Sequence, residues 1–252
     1  MKRIIVANWK MNPGTAKEAR RIFERVKNKA KKLSHIEIVI APPYLYLSYL
    51  RPAASLKLGA QDVAAEEEGA WTGEVSAKML KRAGVSFVLV GHSERRELGE
   101  SDEIVHQKLY RALRRGLKTI LCVGERERSR EVFPRIVRDE IRAALRGIPR
   151  RLAGRTIIAY EPVWAISSHS GGKADTPQNF FEMSIYIRRT ILDIWGKSAA
   201  LKIPILYGGS VNSKNAQGFL EAGGSAGLLV GKASLDPEEF NKILSITNLK
   251  LK

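Results

Sequence analysis

Eight short apolar runs recur along the 252-residue chain, and a longer stretch with helical signals follows each of them. The runs are almost continuously hydrophobic, as expected of parallel strands that are buried on both faces. In chain order they are Arg3–Asn8, Glu37–Ala41, Lys57–Asp62, Phe87–Gly91, Thr119–Gly124, Thr156–Glu161, Pro204–Gly208 and Gly227–Gly231. Eight strand–helix units in a chain of this length predict a closed (β/α)8 TIM barrel, as a single domain over residues 1–252.

The segments between the strands carry signals for helix starts and stops. Ser101 precedes two acids and an amphipathic stripe that ends at Gly116, which predicts a helix between them. Thr176-Pro177 and Asp236-Pro237 each place a capping side chain before a proline at the first helical position. Another helix is predicted from Glu74 to a stop at Gly84. An open doubly wound sheet is the alternative, but no strand is followed by a glycine-rich dinucleotide fingerprint.

Charge is the unusual feature of the composition. Lys and Arg number 43 against 26 Asp and Glu, which gives a formal charge of +17. Such an excess is compatible with a nucleic-acid partner, with attraction of an anionic substrate, or with a solvated cationic exterior. The basic residues are scattered, and neither an aromatic-interleaved basic tract nor zinc-ligand spacing accompanies them. We therefore expect no dedicated nucleic-acid partner.

The remaining bulk features indicate a reducing compartment. Cys122 is the sole cysteine, so no intrachain disulfide can form. The apolar run near the N-terminus, Ile4 to Ala7, is too short for a signal-peptide core, and no segment reaches membrane-spanning length. We expect a cytoplasmic protein without a membrane partner.

One strand ends abruptly in a single carboxylate. Proline cannot donate to a sheet ladder and fixes its own φ, so the sixth strand is predicted to stop with Glu161 at its C-terminal end, just before Pro162. A carboxylate held against Trp164 and aliphatic side chains is poorly solvated, which makes it a usable general base. The same acid is equally compatible with capping a neighbouring helix or pairing with a basic group.

Two other strand ends carry polar groups. Lys10 follows Asn8 at the end of the first strand, where an ammonium can bind an anionic substrate and stabilise an oxyanion; a surface lysine is the alternative. His92 follows the fourth strand, and a helical turn beginning at Ser93 would favour a neutral imidazole that donates to a carbonyl. A structural histidine is the alternative, although Glu94 beside it is a good orienting partner.

Glycine-bearing turns follow the last two strands. They are Tyr207-Gly208-Gly209-Ser210-Val211 and Val230-Gly231-Lys232-Ala233-Ser234. A glycine pair alone is weak evidence, because turns need glycine anyway. In a barrel, however, the loops after strands seven and eight commonly bind phosphate through backbone N–H groups.

Taken together, these residues resemble the triosephosphate isomerase family over essentially the whole chain. The matching motifs are Asn8-Trp9-Lys10-Met11-Asn12, Gly59-Ala60-Gln61-Asp62, Thr72-Gly73-Glu74, Gly91-His92-Ser93-Glu94-Arg95-Arg96, Cys122-Val123-Gly124-Glu125, Ala159-Tyr160-Glu161-Pro162-Val163-Trp164-Ala165-Ile166 and Tyr207-Gly208-Gly209-Ser210-Val211. The resemblance implies interconversion of dihydroxyacetone phosphate and D-glyceraldehyde 3-phosphate through an enediolate, in glycolysis and gluconeogenesis. It implies no metal and no cofactor.

The resemblance also implies roles for individual residues. Glu161 would move the proton between carbons, and His92, Lys10 and Asn8 would stabilise the enediolate, with Glu94 orienting Lys10 and His92. The phosphate would be bound by Ser167, Ser210, Gly231 and Lys232. Thr72 lies in a segment similar to the family's intersubunit loop, which implies a homodimer. Cys122 matches a family cysteine near the site, and a buried small hydrophobe explains it equally well.

The sequence departs from the family pattern in three places, and one of them, the shortened segment from Arg126 to Arg130, concerns only the outer ring of helices. The lid after Ile166 is three residues longer, since Ser167-Ser168-His169-Ser170-Gly171-Gly172 precede Lys173. We expect it to close, with Gly171 and Gly172 absorbing the hinge change, and trimming three residues tests this. Gly231-Lys232 stands where the family favours Gly-Gly, so the backbone at Lys232 must avoid positive φ.

Two competing hypotheses concern function. A barrel acting on another phosphosugar is disfavoured by the intact set of Asn8, Lys10, His92 and Glu161. The other is a barrel whose altered lid has degraded catalysis and whose +17 charge serves binding to an acidic partner.

Overall fold

The predicted strands are all parallel, and they close into a barrel in chain order. The structure is a computed structural model that describes residues 2–127, 133–166 and 175–248. Within these residues the strands are β1 Arg3–Asn8, β2 Ile36–Ala41, β3 Leu56–Ala60, β4 Val85–Val90, β5 Lys118–Val123, β6 Thr156–Tyr160, β7 Ile205–Tyr207 and β8 Gly227–Val230. The single-domain (β/α)8 barrel is therefore confirmed.

Helices surround the barrel between successive strands. They are α1 Ala16–Ala30, α2 Tyr44–Leu47, α3 Ala77–Arg82, α4 Ser93–Glu97, α5 Asp102–Arg114, α6 Arg135–Leu145, α7 Pro177–Trp195, α8 Lys197–Lys202, α9 Ala216–Glu221 and α10 Pro237–Thr247. Short 3-10 helices span Arg150–Arg155, Val163–Ala165 and Lys232–Leu235. The described helices include none that is both long and apolar enough to cross a bilayer.

Most of the predicted caps are present. The side chains of Ser101, Thr176 and Asp236 accept backbone N–H groups in the first turns of α5, α7 and α10. The helix predicted to begin at Glu74 is wrong at its start, because α3 begins at Ala77. There the Glu74 N–H donates to Trp71 O in a turn, and the Ser76 side chain caps α3 instead.

Two apolar layers hold the barrel. Inward side chains of alternate strand positions, such as Val6, Leu89 and Ile120, fill the barrel interior. The opposite faces of the strands pack against the amphipathic helices in a larger cluster. Because all strands run in the same direction, their C-terminal ends open at one mouth, and the polar residues predicted at strand ends are brought together there.

Candidate active site

Asn8 and Lys10 form a tight turn at the end of β1. Asn8 is buried, and its Oδ1 accepts the Lys10 N–H at 3.0 Å. Gln61 Nε2 donates to Lys10 O at 2.8 Å. Lys10 has a φ of 52°, and it is the one non-glycine residue with a positive φ in the part of the chain that the structure describes. Such a conformation is costly for a residue with a Cβ, and these hydrogen bonds hold it in place.

The Lys10 ammonium reaches across the mouth towards the end of β4. Its Nζ lies 2.5 Å from Glu94 Oε1, and the two side chains are 26% and 37% exposed. The stem of Lys10 passes the loop after β8, since a Cβ built on Gly231 would lie 3.6 Å from Lys10 Cε. The ammonium is therefore fixed above the mouth, and the surface-lysine alternative does not describe it.

His92 follows β4 and is the N-cap residue of α4. Its Nδ1 accepts the Glu94 N–H at 3.2 Å. A nitrogen that accepts a hydrogen bond carries no proton, so this geometry corresponds to a neutral ring with its proton on Nε2. The expected neutral imidazole is thus supported, and Nε2 faces the carboxylate of Glu161 at 3.4 Å.

Glu161 follows the last residue of β6, and only 2% of its surface is exposed. Its N–H continues the ladder to Val123 O at 2.8 Å. Its Oε2 accepts the Ser93 N–H at 3.3 Å, in the first turn of α4. The Glu161 carboxylate therefore caps the first turn of α4, as the alternative interpretation expected. It also lies close to His92, as the general-base interpretation expected.

Two glycines make room for Glu161 on the neighbouring strands. A Cβ on Gly124, after β5, would lie 1.8 Å from Glu161 O. A Cβ on Gly208, after β7, would lie 2.9 Å from Glu161 Cγ. Real Cβ contacts are never so short, so any other residue at position 124 would displace the Glu161 backbone.

The mouth encloses a cavity of about 820 Å³. Asn8, Lys10, His92, Glu94 and Glu161 line one part of it, and the turns with Ser210, Gly231 and Lys232 line another. The Ser210 hydroxyl donates to Ala165 O at 2.8 Å, which ties the β7 turn to the segment after β6. The φ of Lys232 is not positive, as expected for a lysine where the family favours glycine, and its side chain is exposed.

Several expected lid residues cannot be placed. Ser167, His169, Gly171 and Gly172 lie outside the described residues, and so does the three-residue insertion. The phosphate contact predicted for Ser167 therefore stays a prediction.

The indole N–H of the tryptophan after Glu161 binds a second buried carboxylate. Trp164 Nε1 and the Tyr160 hydroxyl both donate to Glu125 Oε1, each at 2.7 Å. Burial raises the pKa of the Glu125 carboxyl. Around Glu161, contacts come from His92, the Ser93 N–H, the Cys122 thiol and the flanking glycines.

Cys122 lies near the proposed site and is also buried, so both interpretations of it hold. It is fully buried among the inward side chains of the barrel. Burial raises the pKa of its thiol well above the ordinary value, and the nearby Glu161 carboxylate adds to the effect. The thiol is therefore an unreactive neighbour of the site.

Sequence reasoning missed the residues that support the site from behind. Gln61 appeared only within a motif, Ser93 as the start of a helical turn and Gly124 as the end of a strand, all without a supporting role, and Glu140 on α6 did not appear at all. A glycine directly after a strand was a usable signal for Gly124. The sequence contains no such signal for Glu140, because its role depends on which way α6 faces.

The predicted intersubunit loop projects from the barrel. Thr72 is exposed, and Trp71 beside it is 55% exposed despite its large apolar ring. Other large apolar side chains are exposed in the loops after the first four strands, namely Met11, Leu45, Tyr49 and Leu98. Since these strands are consecutive around the barrel, the four loops are neighbours.

Known proteins resemble this chain in sequence over nearly its whole length. The sequence model of the triosephosphate isomerase family matches residues 3–247. A triosephosphate isomerase from Aquifex aeolicus is 42% identical over 250 residues, covering 97% of this chain and 99% of the relative. One from Caldanaerobacter subterraneus is 42% identical over 248 residues, covering 96% and 98%. One from Fusobacterium nucleatum is 39% identical over 255 residues, covering 98% and 100%.

Proposed function

The chain belongs to the triosephosphate isomerase family, and we propose that Asn8, Lys10, His92 and Glu161 form its catalytic site. It is an isomerase that interconverts dihydroxyacetone phosphate and D-glyceraldehyde 3-phosphate. The net change moves one proton between neighbouring carbons and one between neighbouring oxygens. Neither step changes the oxidation state of the substrate as a whole, so side chains that move protons and stabilise charge are sufficient.

Glu161 is the base that takes the proton from the carbon beside the carbonyl. Its burial leaves the carboxylate poorly solvated, and a base of this kind gains reactivity when water is excluded. Its resting hydrogen bond to the Ser93 N–H is long, at 3.3 Å, so little holds it there when substrate enters. The same carboxyl then returns the proton to the neighbouring carbon.

His92 and Lys10 act on the oxygens. The Nε2–H of the neutral imidazole donates to the carbonyl oxygen as it gains charge, and the ring relays a proton between the two oxygens. The Lys10 ammonium supplies the opposing charge, and Glu94 fixes its position at 2.5 Å. Asn8 fixes the Lys10 backbone through its hydrogen bond of 3.0 Å.

The phosphate lies against the loops after β7 and β8, between the ends of β6 and β1 in the barrel order. The backbone N–H groups of Ser210, Gly231 and Lys232 are the proposed donors, because their turns line the same cavity as the catalytic groups. Gly231 lies beside the Lys10 stem, which supports binding of the phosphate and the reacting carbons of one small substrate in this cavity.

A single observation carries the proposal: His92 Nε2 lies 3.4 Å from Glu161 Oε1 in a cavity that also holds Lys10. A coupled isomerase assay on the purified protein, in both directions, tests it. We expect turnover in the wild type, and a kcat/KM about 10³-fold lower in Glu161→Gln while that variant still binds a phosphate-bearing inhibitor. A folded wild-type protein without isomerase activity would refute it. The degraded-catalysis alternative gains no support from the described residues, since these catalytic groups converge.

We also propose a homodimer formed through the loops after β1 to β4. The exposed apolar side chains of Trp71 and its neighbours favour a protein partner, and four adjacent loops form one continuous surface for a second copy. Thr72 would then reach the partner's mouth. Light scattering should give twice the chain mass, and Trp71→Glu should shift it to the monomer mass. For a glycolytic enzyme with one buried cysteine, we propose a cytoplasmic location.

A further inference from the structure

Glu140 is a buried carboxylate that the proposed reaction does not use. It lies on α6, and only 5% of its surface is exposed. Its Oε2 accepts the Gly124 N–H at 3.0 Å. Its Oε1 lies 3.5 Å from Arg96 Nε, which is also 3.0 Å from Gly91 O. The guanidinium is therefore shared, and Glu140 is not fully neutralised by it.

Gly124 connects Glu140 to the catalytic carboxylate. A Cβ on Gly124 would lie 1.8 Å from Glu161 O, so the glycine backbone packs directly against the backbone of Glu161. The residue before it, Val123, accepts the Glu161 N–H at 2.8 Å. By holding the Gly124 N–H, Glu140 fixes the surface on which the Glu161 backbone rests.

The two carboxylates also share a cavity. A space of about 420 Å³ lies behind the active site, and both Glu140 and Glu161 line it. Charges in a poorly solvated space interact much more strongly than charges in bulk water. Burial raises the pKa of Glu140 to about 7, and nearby Arg96 opposes this effect while Glu161 adds to it.

Other charged groups face the same space. Those that act on Glu140 or line the cavity are Arg96 on α4, Glu100 before α5, Asp102 at the start of α5, Arg126 after β5 and Glu161 after β6. Arg96 Nη1 donates to Asp102 Oδ1 at 2.6 Å, so part of its charge is already balanced there. Among these residues, Glu140 is the buried carboxyl that accepts the N–H of Gly124, beside the Glu161 backbone.

We propose that Glu140 is a positioning residue for Glu161, which holds the supporting backbone in place and, when ionised, eases transfer of the substrate proton to Glu161. The inference rests on the proposed role of Glu161. An ionised Glu140 repels the charge on the Glu161 carboxylate, and this repulsion is relieved as Glu161 takes up the substrate proton, so the transfer is faster.

The Glu140→Gln variant separates the two effects. Its amide oxygen can keep the hydrogen bond from Gly124, but the side chain cannot ionise. We expect the ratio of its kcat to the wild-type kcat to fall about threefold between pH 6 and pH 8.5, with KM changed equally little at both. The matched control is Asp139→Asn on the same helix, where the carboxylate is 55% exposed; its ratio should stay constant.

Glu140→Leu removes the hydrogen bond as well. We expect kcat to fall about tenfold at every pH with KM within twofold, and Glu140→Gln to restore most of this loss. A constant Glu140→Gln ratio across the pH range would overturn the inference, and so would equal kcat values for all variants. If the leucine variant does not fold, the pH profile of the glutamine variant decides alone. An inactive wild-type enzyme would instead refute the proposed function.

Discussion

The charged groups at the two ends of the barrel differ in how they are arranged and in how far they are buried. At the C-terminal mouth, the proposed catalytic groups His92 and Glu161 are buried, at 6% and 2% exposed, and face each other. At the N-terminal mouth, a cavity of about 330 Å³ is lined by four cations and one carboxylate, namely Lys2, Lys118, Arg155, Lys202 and Glu37. The N-terminal mouth has the larger net charge, and the C-terminal mouth holds the proposed catalytic groups.

Solvation explains the difference. Lys118 lies 3.0 Å from Glu37 Oε2 but is 44% exposed, and its ammonium also lies 4.8 Å from the Phe87 ring centre. Exposed ion pairs are screened by water and contribute little. A buried group held by fixed hydrogen bonds keeps its full electrostatic effect on a substrate. The net charge of +17 therefore does not locate the active site, whereas burial and convergence do.

Replacing a carboxylate at each mouth should give the largest contrast. We expect Glu161→Gln to lower kcat/KM about 10³-fold, because the reaction loses its base. Glu37→Gln at the other mouth should lower it less than twofold. Steady-state kinetics with matched circular dichroism spectra measures both. Equal losses of kcat/KM in the two variants would contradict the proposed difference between the two mouths.

Adding a methyl group at each mouth tests packing. Gly124→Ala drives a Cβ into Glu161 O, so we expect a loss of about 3 kcal/mol in the free energy of unfolding and a lower kcat. Gly154 lines the other mouth with nothing within 4 Å of its built Cβ. Gly154→Ala should leave stability unchanged or raise it by about 0.5 kcal/mol. Denaturant unfolding of both variants is the measurement, and a tolerated alanine at 124 would contradict the account.

The pH dependence of stability sharpens the contrast further. The pKa of Glu140 is about 7 in the folded protein against an ordinary value of 4.5, so its contribution to stability is present below pH 4.5 and is lost as pH rises through 7. Glu140→Gln avoids this loss. Its stability relative to wild type should therefore increase by up to about 3 kcal/mol between pH 4.5 and pH 8. Urea unfolding across that range checks it, and a difference independent of pH would show that burial does not shift this carboxyl.

The smallest effects are expected among the exposed cations. Lys118→Met and Lys202→Ala should change kcat/KM less than twofold and the free energy of unfolding by about 0.5 kcal/mol or less. Kinetics at low and high salt, with thermal melts, measures this. A tenfold loss of activity in either variant would assign function to the N-terminal mouth.

Much of this architecture could be predicted from the sequence. The apolar runs gave all eight strands, and Pro162 predicted the end of β6 beside Glu161. Strand ends on a parallel barrel share one mouth, so Asn8, His92 and Glu161 could be grouped without coordinates. The start of α3 was missed because a turn through Trp71 and Glu74 displaced the helix to Ala77.

Contacts that depend on rotation of a helix or a side chain could not be predicted. Trp164 was expected against Glu161, yet its indole N–H donates to Glu125. Glu140 is one of several charged residues on α6, and only the orientation of that helix places it behind Gly124. Sequence patterns specify which face of a helix is buried, but not which single polar group within it reaches a neighbouring loop.

The most direct test of the central claim is a crystal structure with a phosphate-bearing carboxylate that mimics the enediolate. We predict that its carboxylate lies within hydrogen-bonding distance of His92 Nε2 and Lys10 Nζ. Its phosphate should lie on the N–H groups of Ser210, Gly231 and Lys232, with Glu161 facing the bound carbons. A ligand bound among the cations of the N-terminal mouth, or a Glu161 carboxylate that stays on the Ser93 N–H away from the ligand, would contradict the account.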